Sequence, residues 1–170
     1  MENYLDFVET AAKEGHDKIF FNSGPNHAAI VMSRIFKYSS NVIKIYCGGF
    51  NGTVSNDEEY LKYLDIYLHK GGKLEVIVEE DLSNGASKIF KILKKYKDNV
   101  SIYQTSSRIV DSNTKKPIHF TIGDNKMIRL ETDIKDYTAQ VNFKNIEQAS
   151  MLSSVFEKIF NKPKTALTLA

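Results

Sequence analysis

Apolar residues recur along the chain with two periods. Over residues 3–13, Leu5, Val8, Ala11 and Ala12 fall on one helical face before Gly15, which predicts a short amphipathic helix. The run K-I-F-F-N at 18–22 predicts a buried strand, and Ser23, Gly24 and Pro25 then signal a helix start. Ala28, Val31, Met32, Ile35 and Phe36 continue that helix over 26–38. The unit repeats with strand N-V-I-K-I-Y-C-G, a glycine-bearing loop, and a Ser55/Glu58 capping box. A helix over 56–70 then faces Tyr60, Leu61, Leu64, Tyr67 and Leu68 to the core. Gly71 and Gly72 end it, K-L-E-V-I-V-E-E is a third strand, a helix covers 85–96, and N-V-S-I-Y-Q-T is a fourth strand.

After Thr105 the grammar changes. A polar loop leads into P-I-H-F-T-I-G-D-N-K-M-I-R-L-E-T, which reads as strand, tight turn and strand. A further strand follows over 138–143, and a closing helix over 146–160 carries Ala149, Leu152, Phe156 and Ile159. The predicted fold class is α/β, with a mixed, mostly parallel sheet, helices on both faces and a C-terminal antiparallel hairpin. Residues 1–160 form a single domain in this reading, and 161–170 a loosely held tail.

Composition narrows the setting. The chain has 170 residues, 42% of them hydrophobic and 26% charged, enough for one core. It contains no run of eighteen apolar residues, and its acidic opening M-E-N-Y-L-D does not resemble a signal peptide. A cytoplasmic protein without a transmembrane segment is expected. The lone Cys47 forms no internal disulfide, and no Cys/His spacing suggests structural zinc. Richness in Lys, Ile and Asn associates with AT-rich bacterial or phage genomes. A net charge of +2 is too small to argue for nucleic acid unaided, so an anion site must be local.

In open α/β sheets ligands gather outside the carboxyl ends of the strands. That rule selects Asn22, Ser23 and His27; Cys47, Asn51 and Thr53; Glu79, Glu80 and Asp81; and Thr105, Ser106, Ser107 and Arg108. G-G-F-N-G-T matches no phosphate-binding motif and reads as a turn. Glu79, Glu80 and Asp81 are adjacent and cannot all point into one site, so they read as a solvated strand end and no metal is expected. Ser23 and His27 lack a third catalytic partner and read as a helix cap beside a histidine. Lys88, Lys91 and Lys95 read as a solvated helix face. Arg129 and Glu131, two residues apart on one strand, share a face and are expected to pair.

The element order, the histidine-bearing strand, the G-D-N turn, the returning strand and N-F-K-N resemble one half of a phospholipase D superfamily domain, over roughly residues 19–160. The family motif is H-x-K-x-x-x-x-D, followed by G-S or G-T and an amide residue. The resemblance implies a histidine nucleophile, a phosphate-holding lysine and two motif copies meeting at one site. Aligned on the turn, Asp124 takes the aspartate position, His119 the lysine and Pro117 the nucleophile. Aligned on the histidine, Thr121 replaces the lysine and Lys126 the aspartate. Glu131 and Thr132 stand at the G-S place in the first register, and Asn142 is the nearest amide.

Neither register preserves the motif. The expectation is therefore a catalytically degenerate domain that binds a phosphate-bearing ligand or a protein partner, with no cofactor. Its candidate ligand contacts are Asn22, Ser23, Asn51, Arg129, Glu131 and Asn142. The alternative is a homodimeric, metal-independent phosphodiesterase or nuclease using His119, acting on nucleic acid or a nucleotide. Tyr60, Tyr63 and Tyr67 share a helix face that reads as core or, alternatively, as a surface for a protein partner.

Overall fold

A computed structural model describes residues 3–50, 52–80 and 88–161, and the backbone of 165–166. The helices are α1 (Tyr4–Glu14), α2 (Pro25–Tyr38), α3 (Glu58–His69), α4 (Lys88–Lys95) and α5 (Ile146–Phe160). The strands are β1 (Phe20–Asn22), β2 (Val42–Cys47), β3 (Lys73–Val78), β4 (Val100–Gln104), β5 (His119–Gly123), β6 (Met127–Asp133), β7 (Thr138–Asn142) and β8 (Thr165–Ala166).

These strands form one sheet in the order β1-β7-β6-β5-β2-β3-β4-β8. β1, β2, β3, β4 and β6 point one way, so the expected shared direction holds for five of the eight. The pairing differs: only β2/β3 and β3/β4, two of seven neighbouring pairs, are parallel. The three antiparallel strands β5, β6 and β7 are inserted between β1 and β2, a consequence of strand order that local periodicity does not encode. Thr165–Ala166, inside the segment expected as a loose tail, pair antiparallel with the outer edge of β4, which offers unpaired backbone groups there.

Helices cover both faces unequally. Ile43, Ile45, Leu74, Val76, Val78 and Ile102 project to the side of α1 to α4. Tyr46, Ile77, Phe120, Ile122 and Ile128 project to the other side, where α5 buries Ala149, Leu152, Phe156 and Ile159. This alternation along β2 and β5 follows from the two-residue period of a strand. Arg34, 4% exposed, ties α1 to α3 by donating from Nε to Glu9 Oε2 at 2.7 Å and from Nη1 to Glu59 Oε2 at 2.5 Å. Tyr60 and Tyr67 are buried, and Tyr63 lies under the Arg34 and Lys37 cations, so this tyrosine face is core and ion-pair platform.

Local signals place the elements. Pro25 sits in the first turn of α2, where its missing N–H costs nothing. Asp57, and not the expected Ser55, caps α3 by accepting from Tyr60 N at 2.9 Å. Ser55 lies in a preceding 3₁₀ turn and donates to Phe50 O at 2.7 Å instead. The start expected for α4 at residue 85 falls outside the described residues.

The β5–β6 turn carries two non-glycine residues with positive φ, Asp124 at 49° and Asn125 at 54°. Asp and Asn tolerate this region because their short polar side chains bond locally. Asp124 does more: its carboxylate accepts from the backbone N–H groups of Ser40, Asn41 and Val42 at 2.8, 2.9 and 3.1 Å. The residue aligned with the family aspartate therefore pins the hairpin to the start of β2.

Asp124→Ala removes these acceptors and the tolerance for positive φ together. It is expected to cost about 2 kcal/mol in urea unfolding, whereas Asp124→Asn, which keeps an amide oxygen and the backbone tolerance, is expected to cost less than half as much.

Candidate functional site

The carboxyl ends of β1, β2, β3 and β6 and the start of β5 meet at one edge of the sheet. In the register His119 opposes Glu131 and Thr121 opposes Arg129. Directly paired residues and those two apart share a face, so all four side chains turn toward the side covered by α2 and α3. They line a cavity of about 350 Å³ with an apolar wall that includes Met32, Ile45, Phe50 and Tyr60.

One carboxylate organises the polar floor. Glu131 Oε2 lies 3.3 Å from His119 Nδ1, and Glu131 Oε1 accepts from Arg129 Nη2 at 2.8 Å. Arg129 Nε donates to Asn22 Oδ1 at 3.1 Å, and Nη2 also reaches Tyr137 O at 3.2 Å. Asn22 Nδ2 donates to the same carbonyl at 2.6 Å. His119, Arg129, Glu131 and Asn22 are all buried. Burial pushes the Glu131 carboxyl up, but the hydrogen bond to His119 and the charge and hydrogen bond of Arg129 hold the pKa below its ordinary value.

A second carboxylate stands beside the histidine. Glu79 Oε1 accepts from Tyr46 Oη at 2.5 Å and lies 3.9 Å from His119 Nε2, while Arg108 Nε donates to Glu79 Oε2 at 3.0 Å. The Tyr46 ring meets the imidazole edge-on at 5.9 Å. Burial, then the bond to Glu79, pushes the Tyr46 phenol up and keeps it a donor. Desolvation, followed by the charges of Glu131, Glu79 and Glu80, pushes the Cys47 thiol up as well, so Cys47 has no thiolate character.

The candidate residues divide. Asn22, His119, Arg129 and Glu131 converge in one network. Asn142 does not join it, because it pairs with Ile128, one residue from Arg129, and so takes the opposite face. Its amide donates to Asp17 O at 2.7 Å and accepts from Lys144 N at 2.8 Å. Ser23 is exposed and lies 3.4 Å from Thr138 Oγ1, while His27 stacks on Tyr4, so neither enters the cavity. Asn51 lies outside the described residues. Lys88, Lys91 and Lys95 are exposed. Among the described residues no group of three or more His, Cys, Asp or Glu side chains is arranged to hold a metal ion.

The two residues offered for the nucleophile place, His119 and Pro117, lie in different surroundings. His119 enters the cavity, whereas Pro117 forms an isolated bridge with Val110 outside it. Thr121, two residues after His119, has its hydroxyl 3.3 Å from Met32 Sδ. No lysine lines the cavity among the described residues.

Known structures share this arrangement of strands and helices. TrmBL2, described as an archaeal chromatin protein with a novel mode of DNA binding, matches at 15% identity and a TM-score of 0.65. The match covers 95% of this chain and 61% of that one, so the chain spans about three-fifths of its length. NucT from Helicobacter pylori matches at 14% identity and a TM-score of 0.63, covering 88% of this chain and 99% of that one. The phospholipase D family member Nuc from Salmonella typhimurium matches at 11% identity and a TM-score of 0.58, with the same two coverages. The chain has a phospholipase D-like fold. No family model matches the sequence, and no curated protein matches it.

Within this phospholipase D-like fold, sequence reasoning missed Tyr46 and Tyr137. Tyr46 lies within the strand N-V-I-K-I-Y-C-G, and only its position near the carboxyl end of β2 points to the site. Tyr137 contributes a backbone carbonyl from a residue with φ of 52°, which no side-chain pattern announces.

Glu131→Gln leaves Arg129 buried without its counter-charge and is expected to cost about 3 kcal/mol. Because the folded Glu131 carboxyl titrates below its ordinary value of 4.5, its stabilisation is complete above that value and is lost as pH falls through the folded one. Urea unfolding from pH 7 downward is expected to show a shallower acid loss in Glu131→Gln than in the wild type.

Proposed function

We propose that this chain is a phospholipase D-like domain that binds a ligand instead of cleaving a phosphodiester, acting in the cytoplasm. The observation that carries the reading is the state of positive charge in the cavity. Thr121 stands two residues after His119, and the guanidinium of Arg129 is already committed to Glu131, Asn22 and Tyr137 O. Phosphoryl transfer is catalysed mainly by positioned positive charge against developing negative charge. A cation neutralised by a buried carboxylate supplies little of it.

The rival reading is a homodimeric phosphodiesterase or nuclease. One observation favours it: His119 is oriented by a carboxylate at Nδ1 while Nε2 faces the cavity without a partner, as a nucleophilic histidine requires. The neighbours include both a DNA-binding chromatin protein and a phospholipase D family member, so a nucleic-acid or nucleotide ligand belongs with this rival, as does a second copy of the chain. A protein partner has less support, since the tyrosine face of α3 is taken up by the core and by the Arg34 and Lys37 cations. Among the described residues no helix is long and apolar enough to cross a membrane.

Hydrolysis of bis(p-nitrophenyl) phosphate and of single-stranded DNA, measured with chelator present, separates the two readings. The expected outcome is no turnover that distinguishes wild type from His119→Ala. Metal-independent cleavage lost in that variant would overturn the binding reading, and light scattering would then show whether the active species is a dimer.

A further inference from the structure

The polar groups of the cavity favour one kind of ligand. An ionised carboxylate only accepts hydrogen bonds, so the imidazole nitrogen facing Glu131, Nδ1, carries the proton. In the neutral ring Nε2 is then a lone-pair acceptor. It is buried without a hydrogen-bond partner among the described residues, in a side chain whose residue is 8% exposed. The nearest ion-pair oxygen, Glu79 Oε1 at 3.9 Å, is itself an acceptor and too far to bond. Buried polar groups are almost always satisfied, so an orphaned one marks a place where a partner belongs.

Gly48 leaves room for that partner. A Cβ at this position would lie 3.8 Å from His119 Nε2 and 3.5 Å from Glu80 Oε1, so the space beside the glycine is bordered by two acceptors. Among the described residues the charged side chains lining the cavity are Glu80, Glu131 and Arg129, a balance of −1 with a neutral imidazole. A phosphate would bring acceptors to acceptors and negative charge to negative charge. A volume of about 350 Å³ suits a small molecule, and Met32, Phe50 and Tyr60 offer it an apolar wall.

We propose that the cavity takes a small organic ligand that presents N–H or O–H donors to His119 Nε2 and Glu80 and rests its hydrocarbon part on the apolar wall. The inference rests on the binding reading above and replaces the phosphate-bearing ligand expected from the sequence. Ammonium and polyol heads share the required chemistry, and the charge balance favours ammonium.

Two measurements on the full chain test it. Nitrogen-15 NMR of the His119 ring is expected to show a proton on Nδ1 and none on Nε2, and a ring protonated at Nε2 would overturn the proposal. Calorimetric titration with butylamine, glucose and inorganic phosphate supplies the second. Butylamine or glucose is expected to bind, and Gly48→Ala, which puts a methyl group into the space, is expected to weaken that binding at least tenfold. Glu80→Gln, a change at an exposed carboxylate, is expected to weaken butylamine and spare glucose, which separates the two sources. Binding of phosphate alone, or of none of the three, would overturn the proposal. Phosphate binding without His119-dependent cleavage would leave the binding reading intact, while such cleavage would remove both.

Discussion

Glu131 sits buried between an imidazole and a guanidinium, and the geometry of the sheet edge around it follows from satisfying that one carboxylate. Without Arg129 its charge would be unpaired in the interior; without Glu131 the charge of Arg129 would be. Asn22 and the Tyr137 carbonyl accept further hydrogen bonds from the Nε and Nη2 of the guanidinium, which draws β1 and the loop before β7 to the same place. Three separate stretches of sequence are thereby fixed around His119.

The same constraint governs what the site can do. Pairing Arg129 inward orients the imidazole through Glu131 but leaves the cavity without a free cation among the described residues. A carboxylate that aims the histidine is present, and the residue two positions after it, Thr121, carries no charge. Fold likeness to NucT, to Nuc and to a DNA-binding chromatin protein at 11–15% identity fixes the scaffold and not the chemistry. The site itself must decide.

Much of the scaffold was legible in the sequence because each element announces itself locally. Pro25, the glycines after α3 and the alternation in K-L-E-V-I-V act over a few residues. The Arg129/Glu131 pairing was legible for the same reason, since two residues on one strand share a face. Strand order was not: nothing near β1 says that its neighbour is β7. Asn142 illustrates the cost, because its face depends on a register set by loop geometry, and one residue of offset turns it away from the cavity. Asp124 illustrates another limit. Its spacing from His119 suggested the family lysine–aspartate pair, whereas its carboxylate is spent on the backbone before β2.

The most direct test asks whether His119 ever carries a phosphoryl group. The chain would be mixed with a phosphodiester substrate, quenched in alkali, where phosphohistidine survives, and searched by mass spectrometry for phosphate on His119. A ligand-binding domain without a free cation at the reacting centre yields none. Phosphohistidine at His119, absent from His119→Ala and formed without metal, would contradict it.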